Sequence, residues 1–270
     1  MAVRPAIFIT GAGSGIGRAV ASEFARRGWF VGLADIDEGG MAETARLLPM
    51  GRTSQHRLDV RERDGWDAAL ADFAAAAGGR IDVVHNNAGV AFGGQCVDLL
   101  QREVDLTIDV NFRGVVYGAM AAYPWLKASA PGSALLNTAS ASALYGTGGM
   151  AVYSATKHAV RALTEALDTE WGDQGIRVRS IMPSFIDTPL LAGPAGANTH
   201  VTKRDRVIES GMEFTPVEEV ARAAWDAVHG SKLHVLVGKT ARQMGLAAKW
   251  APGYLRNRAK KLMLTREGRE

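Results

Sequence analysis

The sequence predicts an α/β fold: a doubly wound, parallel, seven-stranded sheet with helices on both faces, closed into a single domain. Three observations lead there. Strand-like runs alternate with helix-length amphipathic stretches from the N-terminus to about residue 238. The apolar runs are near-continuous, as strands covered on both faces must be. A glycine-rich turn joins the first run to the first amphipathic stretch. Such alternation implies parallel strands linked by right-handed crossovers.

The strand candidates, in order, are AIFIT (6–10), FVGLA (30–34), HRLDV (56–60), IDVVHN (81–86), SALLNTA (133–139), IRVRSIM (176–182) and LHVLVG (233–238). Amphipathic helices fill the intervals. In the first, Ile16, Val20 and Phe24 recur four residues apart, and Gly28 supplies the stop. Two long helices are expected over roughly 103–128 and 151–172. The stretch 190–214 is rich in glycine and polar residues and lacks a firm period, so it reads as a lid or binding loop.

Composition narrows the class. Of 270 residues, 47% are hydrophobic and 22% charged, enough for a large core and without the bias that marks disorder. One cysteine, Cys96, excludes an internal disulfide framework and a Cys-based zinc site, and suits a reducing compartment. No apolar run reaches the ~18 residues of a membrane span, and the N-terminal apolar stretch is too short for a signal peptide, so a cytoplasmic location is expected. The net charge of +3 is uneven: residues 239–270 carry nine Lys/Arg against two Asp/Glu, or +7, which leaves −4 for the rest. An acidic body argues against nucleic-acid binding. The expected division is a dinucleotide-binding and catalytic unit over 1–238 and a basic amphipathic extension over 239–270.

FITGAGSGIGRAV places glycines between a strand and a helix. The turn from Gly11 through Ser14, Gly15, Ile16 and Gly17 is a candidate cradle for a pyrophosphate, held at the positive end of the helix in a Rossmann-like arrangement. Asp35 ends the second strand, 18 residues beyond Gly17, where a carboxylate accepts hydrogen bonds from adenosine ribose hydroxyls and repels a 2′-phosphate. Ser at 14 and Ile at 36 leave no flanking base to receive that phosphate, which points to NAD rather than NADP. Asp37 nearby offers the same chemistry.

YSATK sets Tyr153 and Lys157 one helical turn apart on one face. Read alone, the pair has two meanings: a packed aromatic beside a snorkelling lysine, or a phenol whose ionisation an ammonium favours. A cation about 4 Å from a phenolate at an effective dielectric of ~20 is worth roughly 4 kcal/mol, enough to lower the phenol by up to ~3 pH units.

These residues resemble the short-chain dehydrogenase/reductase family. TGAGSGIG (10–17) is similar to its cofactor turn, NNAG (86–89) to its sheet-stabilising motif and YSATK to its Tyr-x-x-x-Lys signature, over roughly residues 5–238. The resemblance implies catalytic roles for Asn111, Ser140, Tyr153 and Lys157. It places Asp59 and Val60 against adenine, Asn87, Ala88 and Gly89 along the adenosine, and Ile186 and Thr188 at the nicotinamide amide. It implies that Tyr153 exchanges the alcohol proton and Ser140 orients the substrate oxygen. Lys157 holds the ribose and lowers the phenol, and Asn111 anchors a water chain. Ser184 departs from the family, which usually has glycine there, and so does Ala139, where serine is common. Ser140 as a strand cap and Asn111 as a kinking polar residue are the plain structural readings. The six histidines show no ligand pattern, and no metal site is expected.

The expected activity is NAD-dependent interconversion of a mainly apolar secondary alcohol and its ketone. The alternatives are an NADPH-dependent ketone or 3-oxoacyl reductase and a non-catalytic NAD-binding regulator. Val90, Phe92, Leu144, Met150, Phe185, Leu191 and Met212 are the apolar substrate-side candidates, and Lys203 and Arg204 could meet an acidic group. The two long helices, through the resemblance, imply a homodimer or homotetramer. The extension, with Trp250, Tyr254, Leu255, Leu262 and Met263 among basic residues, either packs on the lid or a neighbouring subunit or makes peripheral contact with an anionic membrane.

Overall fold

Strand β1 (Ala6–Thr10) is buried along its whole length, and its side chains divide between two cores. Ile7 and Ile9 enter one and Ala6 and Phe8 the other, as the two-residue period of a strand requires. The computed structural model describes residues 4–196 and 199–267, with side chains as far as residue 260. Along them follow α1 (Gly15–Arg26), β2 (Phe30–Asp35), α2 (Glu38–Arg46), β3 (Thr53–Arg57), α3 (Arg63–Ala76), β4 (Val83–Asn86), α4 (Gln101–Ile108) and α5 (Gly114–Ala128). The second half continues with β5 (Ala134–Thr138), α6 (Ala151–Trp171), β6 (Arg177–Pro183), α7 (Lys203–Glu209), α8 (Val217–His229), β7 (His234–Val237), α9 (Lys239–Trp250) and α10 (Pro252–Glu267).

All strand pairings are parallel, in the order β3-β2-β1-β4-β5-β6-β7. The chain runs outward from β1 to β3 and then returns to the other side of β1. The order reverses between β1 and β4, and such a reversal opens a crevice at the strands' carboxyl ends. One core lies under α1, α2 and α8 and holds Val20, Phe24, Met41 and Val220; the other lies under α3, α5 and α6 and holds Trp66, Leu70, Phe73, Leu126 and Trp171. Each large apolar side chain so buried contributes roughly 1.5–3 kcal/mol, whereas an exposed pair such as Arg57–Glu38 contributes about 0–1 kcal/mol. The two cores therefore hold the layers together, and the charged rim does little.

Three boundaries differ from the sequence expectation. The third strand is Thr53–Arg57, because Leu58 and Val60 turn in beside Trp66, whose Nε1 donates to Val60 O at 3.0 Å. The long helix expected over 103–128 begins at Gln101 and is continuous, but it carries a π-helical turn, Asp109–Arg113, between α4 and α5. The 190–214 stretch contains a turn at Pro189–Leu191, a Pro194–Thr202 bridge and α7. Among the described residues, no helix is long and apolar enough to cross a membrane.

Candidate active site

The crevice begins where β1 ends. Gly11 has φ +66°, a left-handed backbone that favours glycine, and a Cβ on Gly17 would lie 2.1 Å from Gly11 O. The turn and the start of α1 are thus in direct contact, which only hydrogen side chains allow. Ser14 precedes α1 without capping it through its side chain, so the helix's first N–H groups face the turn uncapped. Ile16 packs on the first core. Thr188, from the loop after β6, stands over Gly15: a Cβ there would be 3.2 Å from Thr188 Cβ. Ile186 is buried nearby in the chain, and the Thr188 hydroxyl donates to its carbonyl at 3.4 Å.

Asp35 reaches across this turn, accepting from Gly13 N at 2.9 Å and from Asp37 N at 3.0 Å. Contrary to the sequence reading, two basic residues stand close by. Arg57 is the register partner of Asp35 across the β2–β3 ladder, and Arg18 donates to the carbonyl of Gly13. Local sequence around 14 and 36 could not show Arg57, because the β2–β3 ladder brings it in, whereas Arg18 follows Gly17 directly in the first turn of α1. Each already meets a carboxylate, Arg57 with Glu38 at 3.4 Å and Arg18 with Glu43 at 3.1 Å.

From β4, Asn87 Nδ2 donates to Thr10 O at 2.9 Å, and the backbone N–H groups of Asn87 and Ala88 donate to Thr10 Oγ1 at 3.0 and 3.1 Å. Thr10 therefore ties the end of β1 to the residues following β4. Asp59 is engaged by Arg61, whose guanidinium holds its carboxyl below the usual range, and Val60 is buried against Gly114.

The second half of the crevice comes from β5, the π-turn and α6. Ser140, in extended backbone after β5, accepts from Ser142 N at 3.1 Å, and its hydroxyl is near enough to the Tyr153 phenol to favour the ionised form. Lys157 is buried, with its ammonium 5.6 Å from the centre of the Tyr153 ring and donating to Thr138 O at 2.8 Å. Asn111, fully buried in the π-turn, has its amide engaged by Val90: Nδ2 donates to Val90 O and Oδ1 accepts from Val90 N, both at 2.8 Å. Gly89 lies between these groups; a Cβ on it would be 3.2 Å from Asn111 Oδ1 and 3.7 Å from Lys157 Nζ. Ser140, Tyr153, Lys157, Asn111 and Gly89 thus share one region.

The expected acidification of Tyr153 by Lys157 is reversed in this protein. The Tyr153 hydroxyl sits deep among protein atoms, although the residue keeps some open surface. Burial pushes the phenol up, and the nearby Ser140 hydroxyl offsets only part of that. The same burial pushes Lys157 down to about 8. Its ammonium bonds a backbone carbonyl and not the phenol. Helical spacing gave the shared face correctly but carried no information on desolvation.

Sequence reasoning missed Thr10 and Thr138, the hydroxyls that knit the strand ends. Thr138 Oγ1 donates to Asn87 Oδ1 at 3.2 Å and is bonded by His85 Nε2 at 2.8 Å, so the imidazole donates. Burial holds His85 down at about 3, a neutral ring at any working pH. The signal available was the hydroxyl residue ending two strands, at positions 10 and 138. Ser184, in the position where glycine was expected, bonds Thr215 Oγ1 at 3.2 Å; among the described residues no non-glycine has positive φ, so serine fits without backbone strain.

A cavity of about 610 Å³ opens beside this region. Tyr145–Met150, Gly94, Gln95, Phe185, Leu191 and Met212 form one part of its wall, and α7, α9 and α10 contribute Val207, Met244, Leu255 and Arg258. Val90, Phe92 and Leu144 are not in the wall, nor are Ser140 and Tyr153 themselves, whereas Met150, which precedes α6, is. Trp250 faces outward, Tyr254 is exposed but borders the cavity, and the side chains of Leu262 and Met263 lie outside the described residues.

The family model described as short chain dehydrogenase matches residues 5–195. The meso-2,3-butanediol dehydrogenase of Serratia marcescens is 35% identical over 242 residues, covering 87% of this chain and 94% of its own. Among solved structures, the 3-ketoacyl-(acyl-carrier-protein) reductase of Brucella melitensis complexed with NADH superposes with a TM-score of 0.76 at 27% identity, covering 86% of this chain and 96% of its own. A short chain dehydrogenase/reductase of Burkholderia phymatum in complex with NAD superposes at 0.81 with 25% identity, covering 96% of both chains.

Proposed function

Because the chain belongs to the short-chain dehydrogenase/reductase family of oxidoreductases, we propose that it interconverts a mainly apolar secondary alcohol and its ketone, with NAD as coenzyme and Tyr153 as general acid/base. The observation that carries this reading is the Lys157 ammonium, 5.6 Å from the centre of the Tyr153 ring on the same helix face, with the Ser140 hydroxyl near enough to the phenol to favour its ionised form. The butanediol dehydrogenase likeness supports a secondary alcohol, and the NADH- and NAD-bound neighbours support the coenzyme.

The residues of the crevice fit a dinucleotide. The side-chain-free turn at Gly11, Gly15 and Gly17 and the uncapped start of α1 suit a pyrophosphate. Asp35 suits the adenosine ribose, and Glu38 and Glu43 engage the two nearby arginines that would otherwise welcome a 2′-phosphate. Asp59 and Val60 would border the adenine and Asn87, Ala88 and Gly89 the adenosine side, while Ile186 and Thr188 would hold the carboxamide. The bound nicotinamide would supply the hydride acceptor.

Tyr153 takes the proton of the substrate hydroxyl during oxidation and returns it during reduction. Ser140 has one O–H to give: beside the free phenol it favours the ionised form of an otherwise weakly acidic buried group, and with substrate bound it donates to the substrate oxygen and orients it. Lys157 remains largely protonated at pH 7 and adds positive charge near the ring. Asn111 has its amide committed to Val90, so a water chain to solvent would start from its main-chain carbonyl within the π-turn.

The test is a panel of secondary alcohols offered with NAD⁺ and with NADP⁺. Reduced coenzyme should form, with the higher kcat/KM for NAD⁺. A preference for NADP⁺ would overturn the coenzyme assignment, and no reduction with either would overturn the activity.

A further inference from the structure

Among the described residues, no group answers the charge of Lys203. It opens α7, its N–H donates to Gly193 O at 3.0 Å, and Thr202 and Asp205 cap the helix reciprocally, so the backbone there is fixed. The residue is nine-tenths buried, at 9% exposure, and lines the cavity. No hydrogen bond or ion pair engages its ammonium among the described residues, and burial alone pushes the group down from its usual range. Gly193 makes room for the head group: a Cβ there would lie 2.7 Å from Nζ.

The neighbouring charges sharpen the point. Arg206 and Arg258 share the wall, and Arg206 has Glu209 at 3.6 Å. Asp98 is the one carboxylate among the described lining residues and forms no ion pair with Lys203. A buried, unpaired ammonium is unfavourable unless an anion joins it. Leu191, Val207, Met212 and Met244 give the remaining wall an apolar character.

We propose that Lys203 is the counter-charge for a carboxylate on the substrate, which is therefore an amphipathic hydroxy or keto acid with its apolar chain along this wall. Lys203 is the buried cation of this wall, whereas Arg258 is exposed and Arg206 meets Glu209; one buried charge matches one negative charge, so a carboxylate is preferred over a dianionic phosphate. The inference narrows the substrate class of the oxidoreductase reading and rests on it for the word substrate, but the site can be tested by binding alone.

Octanoate, octyl phosphate and octanamide are titrated calorimetrically into the NADH-loaded protein, wild type, Lys203→Met and Lys203→Arg, with melting temperatures recorded. Octanoate should bind wild type about tenfold or more tighter than octanamide. Lys203→Met should lose that preference, Lys203→Arg should keep it, and NADH affinity should not move. Equal binding of octanoate and octanamide to wild type overturns the proposal, as does a preference that survives in Lys203→Met. Tighter binding of octyl phosphate contradicts the carboxylate, and a weakened NADH affinity in Lys203→Met assigns the lysine to the coenzyme instead. Should Lys203→Met fail to fold, wild type and Lys203→Arg decide. Failure of every secondary alcohol to yield NADH, with this carboxylate preference intact, would sink the oxidoreductase reading and leave the anion site.

Discussion

Tyr153 and Lys157 are the residues at which sequence and structure part company. Four-residue spacing on a helix makes the pair neighbours, and they are. What it cannot supply is the dielectric: both groups are buried, so the phenol moves up and the ammonium down to about 8. The lysine shift has a consequence for stability. Below pH 8 both folded and unfolded chains hold the proton, and the folded state bears the whole desolvation penalty. Between about 8 and its ordinary 10.5 the folded lysine releases its proton first, and the penalty fades by on the order of 3 kcal/mol. Lys157→Met should therefore gain stability relative to wild type at pH 7 and surrender that gain as pH rises towards 10.5. Loss of the bond to Thr138 O shifts the comparison equally at every pH, so the slope is the readout. Urea unfolding of both proteins across that range would show it, and a difference independent of pH would contradict the buried-charge account.

At the scale of elements, the legible parts were those whose signal is local. The β1–α1 turn announces itself by glycine spacing, and α1 by Val20 and Phe24 on one face. β3 was misplaced because an edge strand, TSQHR, has no apolar pattern of its own, while Leu58 and Val60 beyond it mimic one. α7, seven residues long, is too short to display a helical period. The contact between turn and helix yields a prediction. Gly17→Ala would bring a methyl to 2.1 Å from Gly11 O, a backbone atom that cannot rotate away. The variant should retain its far-ultraviolet circular dichroism, since the cores lie elsewhere, and lose NADH affinity by about tenfold or more. Undiminished binding by fluorescence titration would mean that this turn is not the coenzyme cradle.

For the whole molecule, strand order assembles what no local stretch contains. Reversal between β1 and β4 brings the glycine turn, Asn87, Ser140 and the α6 pair to one end of the sheet. The same topology sets Arg57 beside Asp35 and folds α9 and α10 onto the cavity, and neither juxtaposition could be read from spacing. The proposed proton transfer depends on this assembly through a single oxygen. Tyr153→Phe removes that oxygen and keeps the ring. The decisive measurement is turnover of the best NAD⁺-linked alcohol by this variant, beside its NADH dissociation constant. Unchanged NADH binding with turnover lowered roughly 10²–10⁴-fold is the predicted result; turnover within a few-fold of wild type would contradict the mechanism.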